Sequence, residues 1–185
     1  MRWDDLFDGL DRQFEELLDA AEDAENADRA RVAFGAVTAT ERLVSAVGAT
    51  VRVRLPDNRQ VSGLLTRVGP DFLLIRENHA VDLLVAWSAV LGVEGLSQRT
   101  GPGLGTVDTR LDLRRAVRSL ARDRAPVTVL SAHGTEISGT IDRVGADFFE
   151  IATHAAWEIR RTSAVRGVVL VPLPAVTLIR SAALG

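Results

Sequence analysis

Two stretches of the chain, 76 positions apart, alternate apolar and polar residues in the same order. The first, at residues 51–75, reads VRVRLPDNRQVSGLLTRVGPDFLLI, and the second, at residues 127–151, reads VTVLSAHGTEISGTIDRVGADFFEI. They align without a gap and share ten of their twenty-five residues. Alternation with a period of two is typical of half-buried strands, and self-similarity at a fixed spacing indicates duplication. The sequence therefore predicts one β unit that is present twice.

Each copy of this unit carries the same bend and turn signals. A glycine, Gly63 or Gly139, interrupts the second predicted strand and indicates a sharp bend. A Val-Gly-x-Asp segment then predicts a tight turn into the third strand. We expect its aspartate to accept backbone N–H bonds in its own turn, the alternative being a catalytic pair of aspartates. The residues predicted to shape the two turns are Gly69, Asp71, Gly145 and Asp147.

Two more strands are predicted in each copy, separated by a short 3₁₀-like turn. In the first copy they cover 81–87 and 91–95, and in the second 166–171 and 176–180. The spacing between equivalent residues is here about 86, so the second copy carries about ten extra residues around 154–163. A rival alignment matches residues 88–90 with residues 163–165 and moves these boundaries. The first alignment is preferred because it leaves both copies with five strands.

Helical patterns precede each copy. Thr38 and Glu41 form a capping box, and Thr109 with Asp112 predicts the start of a second helix over 111–121. Residues 1–30 predict a longer amphipathic helix whose apolar stripe includes Trp3, Phe7 and Phe14. This stripe is expected to pack on the protein itself or on a second copy, the alternative being a partner-binding surface. Residues 31–37 are left unassigned.

One helix followed by five bent strands resembles the Sm-like (LSm) barrel. The matching pieces are V-x-V-x-L-x-D-x-x-x-x-x-G-x-L at 51–65 and Arg-Val-Gly-x-Asp-Phe at 67–72 and 143–148. SH3-like and PRC-type barrels have similar patterns and stay as alternatives. The asparagine that helps Sm-like proteins hold an RNA base is replaced by Leu73-Leu74 and Phe149-Glu150, so the resemblance does not imply uridine recognition. The segments MRWDDLF (1–7), DRVGADF (142–148) and VPLPAV (171–176) resemble an uncharacterised actinobacterial family.

The expected fold is mainly β with helices (α+β), built from two tandem five-stranded Sm-like or SH3-like barrels. A helix precedes each barrel, and an acidic amphipathic helix begins the chain. The expected segments are the acidic helix at 1–30, barrel 1 at 38–96, a linker at 97–108 and barrel 2 at 109–181. Sm-like barrels commonly form rings in which strand four pairs with strand five of a neighbour, so the resemblance implies that the two copies pair with each other and satisfy one edge each. This predicts a pseudo-symmetric monomer or a small homo-oligomer.

Charge is distributed unevenly along the chain. Residues 1–30 carry eleven acids and three arginines, whereas residues 31–185 carry fourteen acids and nineteen arginines. All 22 basic residues are arginine, a bias that a GC-rich genome also produces. Arginines near the second helix predict a nucleic-acid-binding stripe, the alternatives being a solvated helix face or a surface covered by the acidic helix. The residues of this predicted site are Arg114, Arg115, Arg118, Arg122, Arg160 and Arg161.

The sequence gives little support for catalysis. The chain has no cysteine, and its histidines, at 79, 133 and 154, have no repeated spacing. No enzyme activity, cofactor or metal site is therefore expected. The absence of cysteine and of an apolar run near the ~20 residues that span a bilayer predicts a cytoplasmic protein without a membrane partner. The expected function is that of a non-catalytic adaptor or scaffold for a protein or another macromolecule, with RNA as the alternative ligand.

Overall fold

In the computed structural model, ten antiparallel strands form one sheet. The structure describes residues 3–154 and 167–182. Before residue 22, the side chains of residues 17–19 alone are described. The predicted mixed α+β fold, with β structure dominant, is confirmed. The helices are α1 (Trp3–Gly35), α2 (Ala39–Val44) and α3 (Leu113–Asp123). The strands are β1 (Thr50–Arg54), β2 (Gln60–Val68), β3 (Phe72–Asn78), β4 (Val81–Ala86), β5 (Gly92–Glu94), β6 (Pro126–Ser131), β7 (Glu136–Val144), β8 (Phe148–Thr153), β9 (Gly167–Pro172) and β10 (Val176–Ala182).

The two halves of the sheet have the same internal strand order. Across the sheet the order is β5-β1-β2-β3-β4 followed by β10-β6-β7-β8-β9. The register is also the same, since Val51 lies opposite Gly63 and Val127 lies opposite Gly139. The two halves share a register irregularity at the same place, after Leu65 in the first and after the equivalent Ile141 in the second. The ungapped repeat in sequence therefore corresponds to a repeated backbone path.

The bend glycines are required by close backbone approach. A Cβ atom on Gly63 would overlap the carbonyl oxygen of Arg76, and a Cβ atom on Gly139 would overlap that of Ala152. These two carbonyls are themselves 76 positions apart. Only glycine allows the neighbouring strand to come so near, so the same constraint acts at the same place in both halves.

In the later part of each half, equivalent residues are 86 positions apart. A 3₁₀ turn covers Trp87–Ala89 in the first half and Leu173–Ala175 in the second. The amide of Trp87 donates to the carbonyl oxygen of Asp71, and that of Leu173 donates to the carbonyl oxygen of Asp147, both at 2.8 Å. The preferred alignment is confirmed by these equivalent bonds, and the rival one is wrong. Most of the predicted ten-residue insertion lies outside the described residues.

The two halves join through β4 and β10. These strands pair antiparallel, with Leu84 opposite Ile179, so the expected pairing of the two copies is confirmed. Each half therefore contributes one of its two edge strands to this pairing. The strands that end the sheet, within the described residues, are β5 on the first half and β9 on the second.

The core is divided into two clusters that share β3 and β4. Leu73 and Ile75 point into the first cluster, with α2, whereas Phe72 and Leu84 belong to the second. The second cluster also contains the buried face of α3, which consists of Leu113, Val117 and Leu120. One face of β3 and β4 therefore serves the first half, and the opposite face is covered by α3 at the joint.

The helices differ in their bounds from the predictions. α1 continues to Gly35, so most of the unassigned stretch is helical. α3 begins at Leu113 because Asp112 is its N-cap and accepts a 2.7 Å bond from the amide of Arg115. The predicted cap, Thr109, lies instead in a preceding 3₁₀ turn. Residues 1–38 form one unit and residues 39–185 a second.

Candidate interaction surfaces

The predicted arginine stripe of α3 consists of Arg114, Arg118 and Arg122 at a spacing of four, with Arg115 beside them. In the structure Arg115, Arg118 and Arg122 are exposed. Arg122 donates to Ser119 Oγ at 3.1 Å and lies 3.6 Å from Asp123. Within the described part of the chain, no acid pairs with Arg115 or Arg118. The other predicted members of this site are separate: Arg114 is half-buried, and Arg160 and Arg161 lie outside the described residues.

Arg114 lines a groove of about 490 Å³ where turns from both halves meet α3. The groove includes Asp71, Ala146 and Pro174, together with Trp87, whose side chain is 37% exposed. An arginine beside an open indole is a pairing that single-stranded nucleic acids use, because bases stack on aromatic rings while phosphates contact the cation. The structure thus places one predicted arginine in this groove and three on the open helix face.

The four turn residues keep their predicted positions. The amide of Gly69 donates to the carbonyl of Phe72 at 2.9 Å, and that of Gly145 donates to the carbonyl of Phe148 at 2.8 Å. The side chain of Asp71 also bonds outside its own turn. Asp71 Oδ1 accepts a 2.7 Å bond from the amide of Leu113 at the start of α3. This bond ties the first half to the helix of the second.

Asp71 is exposed, but partial desolvation of its carboxyl still changes its acidity. This desolvation raises the pKa of the Asp71 carboxyl above its ordinary value, and the nearby charge of Asp112 acts in the same direction. The bond from Leu113 opposes the rise. Asp147, the equivalent residue, is exposed as well, but its side chain has no bond to a described residue. The two aspartates therefore differ in the bond to α3.

Substitutions at these aspartates should separate their roles. We expect Asp71→Ala to lower the free energy of unfolding by about 1 kcal/mol, because the Leu113 amide loses its acceptor. Asp71→Asn keeps an acceptor oxygen and should be nearly neutral at pH 7. Asp147→Ala is the matched control and should have little effect. Urea unfolding of the three variants measures these differences, and an equal loss at both positions would contradict the assignment.

The stability difference between wild type and Asp71→Asn should also depend on pH. A raised pKa means that the folded protein holds the proton more tightly than the unfolded chain. The contribution of Asp71 is therefore fully present below the unfolded pKa and is lost as the pH rises through the folded pKa. Wild type should gain on the variant as the pH falls from 7 to 3, measured by urea unfolding at each pH. A gain in the opposite direction would contradict the desolvation of this carboxyl.

The outer face of β8 and β9 is the equivalent of the face that α3 covers. In the first half, Phe72 and Leu84 lie on this face and are 2% and 5% exposed. Their equivalents are Phe148, which is half-buried, and Leu170, which is 55% exposed. Val168 lies two positions from Leu170 on the same face and is 58% exposed. This face, which also carries Glu150 opposite Leu170, is therefore more exposed than the equivalent face of the first half.

Within the described residues, no strand pairs with the outer edge of β9. Four consecutive residues, Gly167 to Leu170, are exposed, whereas the equivalent positions of β4 are buried after its first residue. An apolar edge strand offers unpaired backbone groups and is a template for another strand. The sequence carries a signal for this surface in the apolar run Val168-Val-Leu-Val171. A continuous apolar run indicates a strand covered on both faces, and β9 has this run although it is exposed.

The remaining predicted sites have no described side-chain contacts. The side chains of Trp3, Phe7 and Phe14 lie outside the described residues, although their backbone belongs to α1. Among the described residues, no three histidine, aspartate or glutamate side chains come together as metal ligands would. The described helices include none with the length and apolarity that crossing a bilayer requires.

Comparison with known proteins does not add to these observations. No protein-family model matches the chain, and no curated protein matches it.

Proposed function

We propose that this protein is a non-catalytic scaffold of two Sm-like barrels that binds a protein partner by strand addition along β9. The observation that carries the proposal is the exposure of β9, whose apolar residues correspond to buried ones in β4. Strand addition satisfies the open backbone groups of an edge, and side chains on alternate positions provide the selectivity. The common strand order of the two halves, β5-β1-β2-β3-β4 and β10-β6-β7-β8-β9, supports the repeated barrel.

Burial of the exposed side chains of β9 contributes favourable free energy to this binding. Covering Leu170 and Val168 removes apolar surface from water and contributes roughly 1 kcal/mol for each side chain. Phe148 adds the part of its ring that is still open. The contact therefore combines backbone pairing along the edge with apolar burial on the outer face, the two features that join β4 to the second half.

Photo-crosslinking in the native host tests the proposal. A benzoylphenylalanine residue placed at Leu170 should form a crosslink to one defined protein segment. The same residue at Val107, which is 75% exposed on the linker, is the matched control and should not form it. The crosslink should disappear in a Val168→Arg background whose thermal unfolding remains cooperative. Equal crosslinking from both positions, or none from Leu170, would overturn the proposal.

RNA binding is the second candidate, because the exposed arginines of α3 and the groove of Arg114 and Trp87 favour it. We expect the triple change of Arg115, Arg118 and Arg122 to glutamine to weaken binding of a short single-stranded RNA. The slope of log K against log salt should fall by about 2, since three phosphate contacts are lost. Changing the three exposed arginines Arg52, Arg99 and Arg143 to glutamine removes the same net charge elsewhere and is the matched control. Filter binding across a salt series that shows the same loss in both sets would remove this candidate.

A further inference from the structure

A cleft of about 400 Å³ lies between α3 and the outer face of β2, β3 and β4. Its apolar lining comes from both sides, with Leu74 and Leu84 on the sheet and Ala116 and Leu120 on the helix. Small-molecule sites have volumes of roughly 300–1,000 Å³ and combine apolar walls with a few polar groups that fix the ligand's orientation. The cleft has the size and the apolar walls of such a site.

The polar groups of the cleft lie in one row across three strands. Arg76 on β3 is opposite Asp82 on β4, and Asp82 is opposite Ser181 on β10. Leu74 and Leu84, which are opposite each other, form the apolar row two positions away along the same strands. All five side chains line the cleft. The cleft therefore has an apolar part and a polar end.

Ser181 places a buried hydroxyl at this polar end. The residue is 5% exposed and lines the cleft, and within the described part of the chain its hydroxyl has no hydrogen-bond partner. A buried hydroxyl without a partner costs free energy, and it can donate one hydrogen bond. A ligand atom that accepts this bond would remove the cost, so the hydroxyl points to a ligand with an acceptor oxygen.

Two arginines complete the polar end. Arg76 donates from Nε and Nη2 to the buried carboxylate of Asp82 at 2.9 and 3.3 Å, which fixes the guanidinium and leaves three of its five N–H donors for a ligand. Arg67 Nε lies 3.9 Å from Asp108 Oδ1, which is longer than a hydrogen bond. Two arginines and one aspartate line the cleft, which gives a net charge of +1. One negative charge on a ligand balances this lining.

The second half of the sheet shows that the fold does not require this ion pair. The equivalents of Arg76 and Asp82 are Ala152 and Val168, and these two residues are paired across β8 and β9 as the ion pair is across β3 and β4. Burying a carboxylate and a guanidinium costs free energy that an apolar pair avoids. The strand pairing is the same without the charges, so the ion pair indicates a role at the cleft.

We propose that this cleft binds a small monocarboxylate with an apolar body. The carboxylate accepts hydrogen bonds from Ser181, Arg67 and Arg76 at the polar end, because a guanidinium fork matches the two oxygens of a carboxylate. The apolar body lies between Leu84 on the sheet and Leu120 on the helix. The site belongs to α3 and the first half and does not use β9, so this binding activity is additional to strand addition.

Isothermal titration calorimetry of the full-length protein with decanoate, below its micelle concentration, tests the proposal. We expect saturable binding of one decanoate per chain. Decanol has the same apolar chain without the charge and should bind at least about tenfold more weakly, because the charge-assisted bonds are lost. The absence of saturable binding, or equal affinities for decanoate and decanol, would overturn the proposal.

Two arginine variants locate the binding site. Arg67→Gln should raise the dissociation constant for decanoate about tenfold, since one cation of the polar end is removed. Arg52→Gln is the matched control, because Arg52 is also an exposed strand arginine beside a carboxylate, that of Glu94, but lies outside the cleft. Its affinity should equal that of wild type. The same loss in both variants would show non-specific attraction and would exclude this cleft.

Two further variants test the buried hydroxyl and the space itself. Ser181→Ala should weaken decanoate binding about fivefold through the loss of one hydrogen bond. Ala116→Phe places a ring in the cleft and should abolish binding while thermal unfolding stays cooperative. If Ala116→Phe does not fold, Arg67→Gln still decides the result, because it changes an exposed side chain. A folded Ala116→Phe protein that binds decanoate like wild type would overturn the site.

Discussion

Replacing Gly139 with alanine should destabilise the protein by about 3 kcal/mol or more, and Gly63→Ala should have an effect of similar size. In each case the new Cβ would overlap a backbone carbonyl of the neighbouring strand, that of Ala152 or of Arg76. A backbone atom cannot rotate away as a side chain can, so the strands must separate and ladder bonds weaken. The similarity of the two losses is expected because the two glycines hold the same place in a repeated unit.

Urea unfolding of the two variants measures these losses. Gly103→Ala is the matched control, since a Cβ there meets nothing within 4 Å, and its effect should be within about 0.5 kcal/mol. A mild effect at either bend glycine, or a loss at Gly103 as large as at Gly139, would contradict the close approach of the strands.

The second large effect is expected at Phe72. Phe72 is 2% exposed in the cluster that α3 closes, so Phe72→Ala should cost about 3–5 kcal/mol through lost burial and the cavity left behind. Phe148 is its equivalent in the repeat but is only half-buried. In a monomer Phe148→Ala should therefore cost much less, roughly 1–2 kcal/mol.

Thermal and urea unfolding of this pair report directly on the difference between the two outer faces. The comparison has a built-in control, because both changes remove the same atoms from the same position of the same unit. Equal losses in dilute solution would mean that the second face is already covered within one chain. Such a result would contradict the open surface on which the proposed strand addition rests.

Local signals were sufficient for much of the fold. The repeated Val-Gly-x-Asp turn and the bend glycines predict the second and third strands of each half and the turn between them, because these features are fixed by contacts between residues close in sequence. The N-terminal boundary of α3 illustrates the limit of such signals. Thr109 and Asp112 both have N-cap chemistry, and the choice falls on Asp112 because Leu113 is held by Asp71, which is 42 positions away.

The open surface on β9 depends on contacts that the repeat alone does not reveal. Phe72 and Phe148 have the same neighbours in sequence, Gly-x-Asp before and an apolar residue after. They differ because α3 and β10 of the second half pack on the face and edge of the first half, where Phe72 is buried. Among the described residues, Phe148 does not belong to that buried cluster. Identical local patterns therefore predict identical strands but not identical burial.

The arginine face shows the opposite case. The spacing of Arg114, Arg118 and Arg122 predicts one helical face with Arg115 beside it. The structure exposes Arg115, Arg118 and Arg122, because the apolar residues Leu113, Val117 and Leu120 occupy the opposite face. Arg114 falls between the two faces and turns into the groove beside Trp87. Periodicity predicts which residues share a face, and only tertiary packing decides which of the remaining residues enter a groove.

Amide hydrogen exchange of dilute full-length protein, read separately for β4 and β9, tests the central claim most directly. We expect β4 to be protected, because β3 and β10 pair with its two sides. About half of the β9 amides face away from β8, and we expect these amides to exchange rapidly. Protection of these β9 amides equal to that of the β4 amides would contradict the claim that β9 is an open edge at the position that β4 holds in the first half.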